Sequence, residues 1–358
     1  MFDHRRYVPI LRWKRGEWVA LRYLTEEVRA SLTPLVEVTP KSFAPRRDGS
    51  LPTVSEALSK VAQDLASNWG WRPVFLDLWH LRVDLRSDNG LHALVYLAAE
   101  ARSRGASLIP VTGVGRSAEY QAAVASAAAG GASGVCIRLL SGDLDRPSLE
   151  SDIEALLSRL EVERAQTDLI VDLQFVGDTL PDWSRVLRSI PNQQCWRTLT
   201  VASGSFPRDL IRFSVGDHRV RRADWLGWLR VARTAGASER LPTFADYAIQ
   251  HGVYREPPDQ ANVSASIRYT SHENWVLMRG QGLRNENGPG NAQYHAEARW
   301  LCQRPEIFCG RNFSYGDDYS YERSVRTDPP GSPETLLRAG FNHHITFVAR
   351  QIASLFGT

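Results

Sequence analysis

The sequence predicts an α/β fold, a (β/α)8 barrel of the TIM type followed by a polar C-terminal extension. Eight short apolar segments rich in β-branched residues recur at fairly even spacing through the first 250 residues. Stretches with helical periodicity separate most of them, and near-continuous apolar runs are typical of strands covered by helices on both faces. The alternation of strand and helix predicts a parallel sheet, and eight units predict that the sheet closes into a barrel.

Each element follows from this pattern. The predicted strands are Tyr7–Leu11, Pro34–Val38, Pro73–Leu78, Leu108–Thr112, Gly134–Leu139, Leu169–Leu173, Arg197–Val201 and Leu241–Ala245. The predicted helices between them include Glu56–Ser67, Gly90–Arg104, Glu119–Ala129, Leu149–Glu163 and Ala223–Ala235. A doubly wound open sheet is the alternative. Against it, neither G-x-G-x-x-G nor G-x-x-x-x-G-K-[ST] follows the first strand, so the usual nucleotide-binding signatures of open sheets are missing.

The character of the chain changes after residue 255. Residues 261–335 are rich in Asn, Gly, Tyr, Arg and Ser, with a strand-like run at Val263–Thr270 and a glycine-rich stretch at Gly280–Gly290. Helical periodicity returns at Asn291–Gln303 and near His344–Phe356. We expect residues 1–255 to form the barrel and residues 256–358 to form a lid-like insertion and a final helix packed on it. A separate small domain is the alternative.

Composition excludes some classes of protein. The 43 basic and 40 acidic residues give a net charge of +3, which is too near balance to indicate nucleic-acid binding by itself. The cluster Arg219, Arg221 and Arg222 is expected to be a solvated helix start. The four cysteines show no C-x-x-C pair and no zinc-finger spacing, so we expect them to be reduced. With no secretory signal and no long uncharged apolar run, a cytoplasmic protein without a membrane partner is expected.

Ionisable residues accumulate near the carboxyl ends of the predicted strands, where the active sites of such barrels lie. The candidates for catalysis, including two histidines from the extension, are Lys14, Glu37, Asp77, Arg138, Asp172, Asp246, His343 and His344. His80, three residues after Asp77, is expected to be a capping or packing histidine. Charged side chains within apolar strands must reach the barrel mouth or pair inside the barrel, because an unpaired buried charge is costly.

Two interpretations of these charges stay open. In the first, Glu37, Asp77 and Asp172 converge to hold Mg²⁺ or Mn²⁺ or to share acid–base work. Lys14 and Arg138 would then bind an anion. In the second, the same residues form a buried ion-pair network that fills the barrel. No residue spacing in the sequence decides between the two.

The extension carries a second group of candidates, for binding a substrate or a partner. They are Arg268, Tyr269, Arg279, Tyr294, His295 and Asp317. Aromatic residues interleaved with Arg, Asn and His suit stacking on bases or closure over a polar ligand, and they also suit an ordinary polar interface. The adjacent His343 and His344 would point about 100° apart on a helix, so both cannot readily serve one metal ion.

Five motifs are spread over nearly the whole chain. They are Tyr7-Val-Pro-Ile-Leu-Arg-Trp-Lys-Arg-Gly-Glu17, Pro34-Leu-Val-Glu-Val38, Arg268-Tyr-Thr270, Phe313-Ser-Tyr-Gly-Asp317 and Gly340-Phe-Asn-His-His-Ile-Thr-Phe-Val348. In these motifs the sequence resembles the beta protein family, named after a protein of an enterobacterial satellite phage. The resemblance brings no catalytic motif with it. The proline-rich loop Pro329–Pro333 is a possible departure from the family's closing element.

The resemblance implies a role in bacterial defence against phage, because family members are encoded beside small partner genes in defence or toxin-suppressor cassettes. In the satellite phage, the beta protein is associated with suppression of a neighbouring killing gene. The implied function is therefore regulatory or toxin-neutralising, as in the antitoxin of a toxin–antitoxin pair.

Two functional hypotheses follow. In the first, the protein is a defence-cassette component whose polar barrel mouth binds or neutralises a neighbouring toxin or effector, with nucleic acid or a nucleotide left open as a ligand. In the second, it is a metal-dependent phosphodiesterase or nuclease-like hydrolase. The three carboxylates would hold Mg²⁺ or Mn²⁺, the two cations would stabilise phosphate charge, and His343 or His344 would move protons.

Overall fold

The strands of the chain form a closed parallel barrel and a small antiparallel sheet. The computed structural model describes residues 2–234, 236, 240–256 and 261–357. Its strands are β1 (Tyr7–Leu11), β2 (Leu35–Glu37), β3 (Pro73–Asp77), β4 (Ser107–Thr112), β5 (Val135–Leu140), β6 (Thr167–Phe175), β7 (Thr198–Gly204), β8 (Gly216–Arg221), β9 (Thr243–Asp246), β10 (Ser264–Thr270) and β11 (Asn274–Gly282). Within the described residues, β1–β7 and β9 close into a parallel barrel, since β9 pairs with both β7 and β1. The predicted (β/α)8 barrel is confirmed.

Helices alternate with the barrel strands and continue through the extension. They are α1 (Arg15–Arg22), α2 (Glu26–Ala30), α3 (Val54–Asn68), α4 (Ala93–Ser103), α5 (Ala118–Ala129), α6 (Ser141–Leu144), α7 (Leu149–Leu160), α8 (Trp183–Arg188), α9 (Ala223–Thr234), α10 (Gln293–Cys302), α11 (Tyr315–Val325) and α12 (Pro333–Phe356). Ala235, the last residue of the predicted fifth helix, lies outside the described residues. No helix in the described part of the chain has the length and apolar character needed to cross a membrane.

Helix α3 illustrates how the sequence forms these elements. Thr53 precedes the helix, and its side chain accepts from the backbone of Glu56, whose carboxylate accepts from the backbone of Thr53 in return. This capping box satisfies two amides that would otherwise lack partners. Leu58, Val61 and Leu65 then fall on one face of the helix and are buried against the barrel.

Alternation along the strands places the charged residues at one end of the barrel interior. An apolar cluster contains one residue from each of β2, β3, β5 and β6, namely Leu35, Phe75, Cys136 and Ile170. Side chains that are two residues apart on a strand share a face. The next inward positions toward the carboxyl ends of these strands are therefore Glu37, Asp77, Arg138 and Asp172. The interior is apolar below and ionic at its mouth.

The small sheet combines two distant segments. Its order is β10-β11-β8, and β8 comes from the connection between β7 and α9. The expectation of a solvated helix start near Arg219 was wrong, because Arg219 and Arg221 lie exposed on β8. Arg222 is buried, and its Nη1 donates to the backbone oxygen of Ser271 at 3.0 Å and to the Gln351 side chain at 2.8 Å.

The final helix begins earlier than the sequence indicates. Helix α12 starts at Pro333, the last residue of the proline-rich loop, with Ser332 as its N-cap. Proline is favoured at the first helical position because its missing N–H would have no helical partner there. The helix contacts α1 and β10 and buries Phe341, Ile345 and Val348. It thereby joins the extension to the first βα unit.

Candidate functional site at the barrel mouth

Arg138 occupies the centre of a buried ion network at the barrel mouth. Its Nη1 donates to Glu37 Oε1 at 2.8 Å and to Asp77 Oδ2 at 2.9 Å. Its Nε and Nη2 donate to Asp172 Oδ2 at 3.0 and 2.6 Å. These four residues expose at most 3% of their surface. The structure thus brings four of the candidate catalytic residues together around one guanidinium.

Further donors complete the network from its sides. Arg116 Nη2 lies 2.9 Å from both oxygens of Asp77. His80 Nε2 is 3.0 Å from Glu37 Oε2, and Arg12 Nε is 3.6 Å from the same oxygen. The three guanidinium groups balance the three carboxylates. The His80 ring packs 4.5 Å from the Tyr254 ring, as expected of a packing histidine, and it also belongs to the network through Glu37.

Tyr247, the residue after β9, completes the network. Its hydroxyl donates to Asp172 Oδ2 at 2.6 Å and accepts from Arg138 Nη2 at 2.8 Å. Burial, followed by the charge of Asp172, raises the pKa of Tyr247 well above its usual value. Burial alone would raise the pKa of Glu37 too, but Arg138, His80 and Arg12 together lower it to about 2. Tyr247 therefore stays protonated and Glu37 stays ionised at neutral pH.

This arrangement leaves little capacity for a metal ion. Mg²⁺ and Mn²⁺ take carboxylate oxygens as ligands. Here the oxygens of Glu37, Asp77 and Asp172 that face one another are bound by N–H groups of Arg138. Across the described residues, no group of three or more His, Cys, Asp and Glu side chains is arranged to hold a metal. The geometry is that of a buried ion-pair network.

Strained backbone marks the same face of the barrel. Asp172 and Asp246 each accept from the amide two residues further on, at 2.7 and 2.9 Å. Those residues, Gln174 and Ala248, have φ of +57° and +51°, and Trp13 after β1 has φ of +48°. Residues other than glycine rarely adopt this left-handed region, and such strain concentrates at functional sites. The mouth is therefore the end of the barrel to examine for function.

A cleft of about 700 Å³ opens at this mouth, and we refer to it below as the cleft. Segments that follow β1, β2, β7 and β9 line it, together with parts of α1, α3, β10, α10 and α12. Its cationic lining residues are Arg12, Lys14, Arg15, Lys41, Lys60, Arg208, Arg255 and Arg268. Its acidic lining residues are Glu17, Asp64, Glu256 and Glu334. Arg12 also belongs to the ion network, so the other seven cations against four anions give the cleft a net charge of +3.

Lys14 lies in this cleft and not in the ion network. Its Nζ is 3.2 Å from Glu256 Oε2 and 5.5 Å from the centre of the Tyr254 ring. Arg12 connects the two regions, because it reaches Glu37 and also lies 5.4 Å from the centre of the Tyr254 ring. The predicted pairing of Lys14 with Arg138 around one anion has no counterpart in this arrangement, since Arg138 is enclosed by carboxylates.

Asp246 and His344 form a second, fully buried group. His344 Nε2 is 3.0 Å from Asp246 Oδ2, and its Nδ1 is 2.8 Å from the Thr270 hydroxyl. The Tyr7 hydroxyl donates to Asp246. Burial lowers the pKa of His344, although Asp246 opposes this. Because the Thr270 hydroxyl can donate to Nδ1, a neutral His344 satisfies every one of these contacts.

His343 faces a different carboxylate. Its Nδ1 is 2.9 Å from Asp317 Oδ2, and its Nε2 is 2.8 Å from the Thr270 carbonyl oxygen. Both partners accept, so both ring nitrogens must donate in this geometry. Tyr269 stacks on the ring at 3.7 Å and donates to Asp317 at 2.6 Å. The two histidine groups join α12 to β9, β10 and α11, and neither lines the cleft.

The remaining binding candidates lie in different parts of the structure. Arg268 and Tyr294 line the cleft. Arg279 Nη1 donates to the Phe213 carbonyl oxygen at 2.8 Å, outside the cleft lining. His295 lies 2.7 Å from the backbone oxygen of Arg323 in α11 and 3.0 Å from that of Asp328, which follows α11. The candidates that the sequence grouped together thus lie in different places.

Sequence reasoning did not include several participants among the site residues. They are Arg12, His80, Arg116, Tyr247 and Gln250. Arg12 directly follows a predicted strand and Tyr247 comes two residues after another, and these positions were an available signal. Arg116 comes from a loop after β4, where no local pattern distinguishes it from a solvated arginine.

The fold and the site define a (β/α)8-barrel protein with a buried ion network and a basic cleft at its mouth. The family model described as Beta protein matches residues 7–350, and the chain belongs to the beta protein family. Comparison with curated proteins finds no match. Among solved structures, the chain is similar to a mutant tryptophan synthase alpha-subunit from the hyperthermophile Pyrococcus furiosus. The two share 11% identity with a TM-score of 0.40 over 69% of this chain and 89% of that chain.

Proposed function

We propose that the protein is a recognition component of a bacterial anti-phage defence cassette. In this proposal the cleft binds an acidic segment of the toxin or effector protein encoded beside it and thereby neutralises or regulates that protein. The observation that carries the proposal is the charge of the cleft, which is +3 when Arg12 is counted with the ion network, whose own charges then balance. The role in defence comes from the family resemblance.

Binding agrees better with the geometry than catalysis does. A general base or nucleophile must reach the substrate. Glu37, Asp77 and Asp172 are buried, are bound by guanidinium groups and are not part of the cleft lining. The charged groups that line the cleft are mainly cations, which attract and orient an acidic partner.

The size and charge of the cleft suit an acidic peptide segment. Ligand clefts in proteins are about 300–1,000 Å³, and this one falls within that range. A positive cleft with low-dielectric walls concentrates the field and speeds association with an oppositely charged partner. Arg208 has no carboxylate within 4 Å among the described residues, so it is available to such a partner.

Charge reversal tests the proposal. The protein is co-expressed with the product of the neighbouring gene, and co-purification and Kd are measured for wild type and for the double variant Arg208→Glu/Arg255→Glu. We expect Kd to rise at least about tenfold, because two attractive charges become repulsive.

The matched control is Arg159→Glu/Arg188→Glu. It makes the same change of charge in the last turns of α7 and α8, which lead back to the opposite end of the barrel. We expect this control to bind like wild type. Equal effects of the two double variants, or no binding by the wild-type protein, would overturn the proposal.

A further inference from the structure

We infer that Arg12, Gln250 and Arg268 form an anchor in the cleft that holds one carboxylate group of the bound partner. We call these three residues the carboxylate anchor. The inference rests on the proposed function and identifies the group that the cleft recognises. A carboxylate reaches the anchor from an acidic side chain or from a chain terminus, and the experiment below separates these two sources.

The three side chains meet on one short stretch of backbone after β9. Arg12 Nη1 donates to Gln250 Oε1 at 3.4 Å, and its Nη2 donates to the His251 carbonyl oxygen at 2.6 Å. Arg268 Nη1 donates to the Ile249 carbonyl oxygen at 2.9 Å. Arg268 is therefore fixed by one part of its guanidinium group, and its other N–H groups are held in place for a ligand. Arg12 has less capacity, because its Nη2 also donates to the Gly252 carbonyl oxygen at 3.0 Å and its Nε faces Glu37 at 3.6 Å, so one N–H of its Nη1 remains.

The unpartnered polar atoms of the cleft are mostly donors. Among the described residues that line it, the buried side-chain atoms without a hydrogen-bond partner are Arg12 Nε, Trp13 Nε1, Gln250 Nε2, Arg268 Nε and Glu17 Oε2. Four are nitrogens that carry hydrogen and one is an oxygen. A buried donor without a partner costs about 1–3 kcal/mol. The group that best satisfies this set is an acceptor with more than one oxygen.

Arg268 is the strongest element of the anchor. No carboxylate of the described residues lies within 4 Å of its guanidinium, in contrast to Arg138 with its three. Burial lowers the pKa of Arg268 to about 10, so the group is still a cation at neutral pH. A carboxylate would form a favourable ion pair with this unpaired cation, because its two oxygens match two N–H groups of the planar guanidinium. The remaining exposed part of its side chain faces the cleft.

The experiment uses three labelled peptides and the full chain. Hexaglutamate with an amidated C-terminus carries only side-chain carboxylates, hexaglutamine with a free C-terminus carries only a terminal one, and amidated hexaglutamine carries none. Kd is measured by fluorescence polarisation for wild type, Arg268→Met and Arg279→Met. Arg279 is the matched control because it lies on the adjacent strand β11 and also has an unpartnered Nε, yet is outside the cleft lining.

We expect one of the two carboxylate-bearing peptides to bind wild type and to identify the source. We expect Arg268→Met to weaken that binding at least about tenfold, and Arg279→Met to leave it unchanged. Arg268→Lys keeps the charge but loses the two-pronged guanidinium, so its Kd should lie between those of wild type and Arg268→Met. Thermal melting of each variant shows whether it is folded.

Two results would overturn the inference. The first is failure of both carboxylate-bearing peptides to bind wild type, and the second is equal binding by a folded Arg268→Met variant. If partner binding still depends on Arg208 and Arg255 in either case, the cleft is an interface without this anchor and the proposed function stands. If partner binding is insensitive to those residues as well, both proposals fail.

Discussion

Two buried glutamates at the barrel mouth show how the ion network and the cleft differ. Glu37 exposes 3% of its surface and Glu17 exposes 2%. Burial raises the pKa of both carboxyls, yet the pKa of Glu37 is lowered to about 2 and that of Glu17 is raised to about 7. The difference lies in the partners, because Arg138 and His80 contact Glu37 directly, whereas Arg12 and Lys14 offset only part of the burial of Glu17.

The ion network and the cleft also differ in how far their hydrogen-bond donors are satisfied. In the ion network, the hydrogen bonds of Arg138 are made within the protein. Along the cleft, donors such as Arg268 Nε lack partners. The charges of the network are therefore paired within the protein, whereas several donors of the cleft lack a partner. The predictions below test this difference, starting with the largest expected effect.

The same substitution should have unequal effects on stability in the two regions. Arg138→Met leaves three buried carboxylates without their shared cation, which should lower the free energy of unfolding by about 3–5 kcal/mol. Arg268→Met removes one hydrogen bond and an unpaired cation, so its effect should stay within about 1 kcal/mol. Urea denaturation of both variants at pH 7 measures the difference. Equal losses would mean that the cleft is as tightly coupled to folding as the network.

Glu37→Gln should flatten the acid side of the stability profile. The pKa of Glu37 is lowered from 4.5 to about 2, so its contribution is present above pH 4.5 and is lost as the pH falls through 2. At 1.36 kcal/mol per pKa unit, that contribution is about 3 kcal/mol. Urea denaturation of wild type and variant between pH 2 and pH 7 tests this, and parallel curves would contradict it.

Glu17→Gln should act in the opposite direction. The pKa of Glu17 is raised from 4.5 to about 7, so its favourable contribution is present below pH 4.5 and is lost as the pH rises through 7. The variant should therefore resist urea better than wild type at pH 8, by up to about 3 kcal/mol, with no such gain at pH 4. A variant that is less stable than wild type at pH 8 would show that the ionised carboxylate has a partner.

Tyr247→Phe should cause a smaller loss within the network. The change removes a hydroxyl that donates to Asp172 and accepts from Arg138. A hydrogen bond to a charged group contributes about 1.5–3 kcal/mol, so a loss of about 2 kcal/mol is expected at pH 7. Tyr23→Phe is the control, because that ring is exposed, stacks on Tyr315 and lies outside these hydrogen bonds. Similar losses for the two variants would argue against a special role for Tyr247.

Titration with Mn²⁺ or Mg²⁺ should produce the smallest effect, with no measurable heat of binding at the barrel mouth. Arg138 already occupies the space among Glu37, Asp77 and Asp172. The hydrolase hypothesis makes the opposite prediction, namely micromolar binding that Asp77→Asn and Asp172→Asn abolish. That result would replace binding with metal-dependent hydrolysis as the function to pursue.

The barrel could be predicted because its strands are buried on both faces and read as continuous apolar runs. Strand β8 could not, since Val220 is its one buried residue in a polar sequence. Helix α11 was missed for a related reason: its buried positions are Gly316, Asp317 and Ser320, which form no apolar stripe. Hydrophobic periodicity in a sequence indicates where apolar side chains are buried. It does not detect helices and strands whose buried side chains are polar.

The site could be predicted in part. Glu37, Asp77, Arg138 and Asp172 were grouped because strand ends meet at one face of a barrel. Whether they surround a metal ion or a guanidinium depends on distances across the barrel, and no spacing along the chain encodes these. The cleft could not be predicted from the sequence, because Arg268 lies on β10 and meets the residues that follow β1 and β9 only in the folded chain.

The origin of β8 has a consequence for synthesis on the ribosome. Its partner β11 is made about 50 residues later. At roughly 5–20 residues per second, β8 waits roughly 3–10 s before its partner strand exists. During that interval an unpaired strand edge is exposed to other nascent chains. We therefore expect the yield of folded protein to depend on how fast the ribosome translates the codons between Arg222 and Glu273.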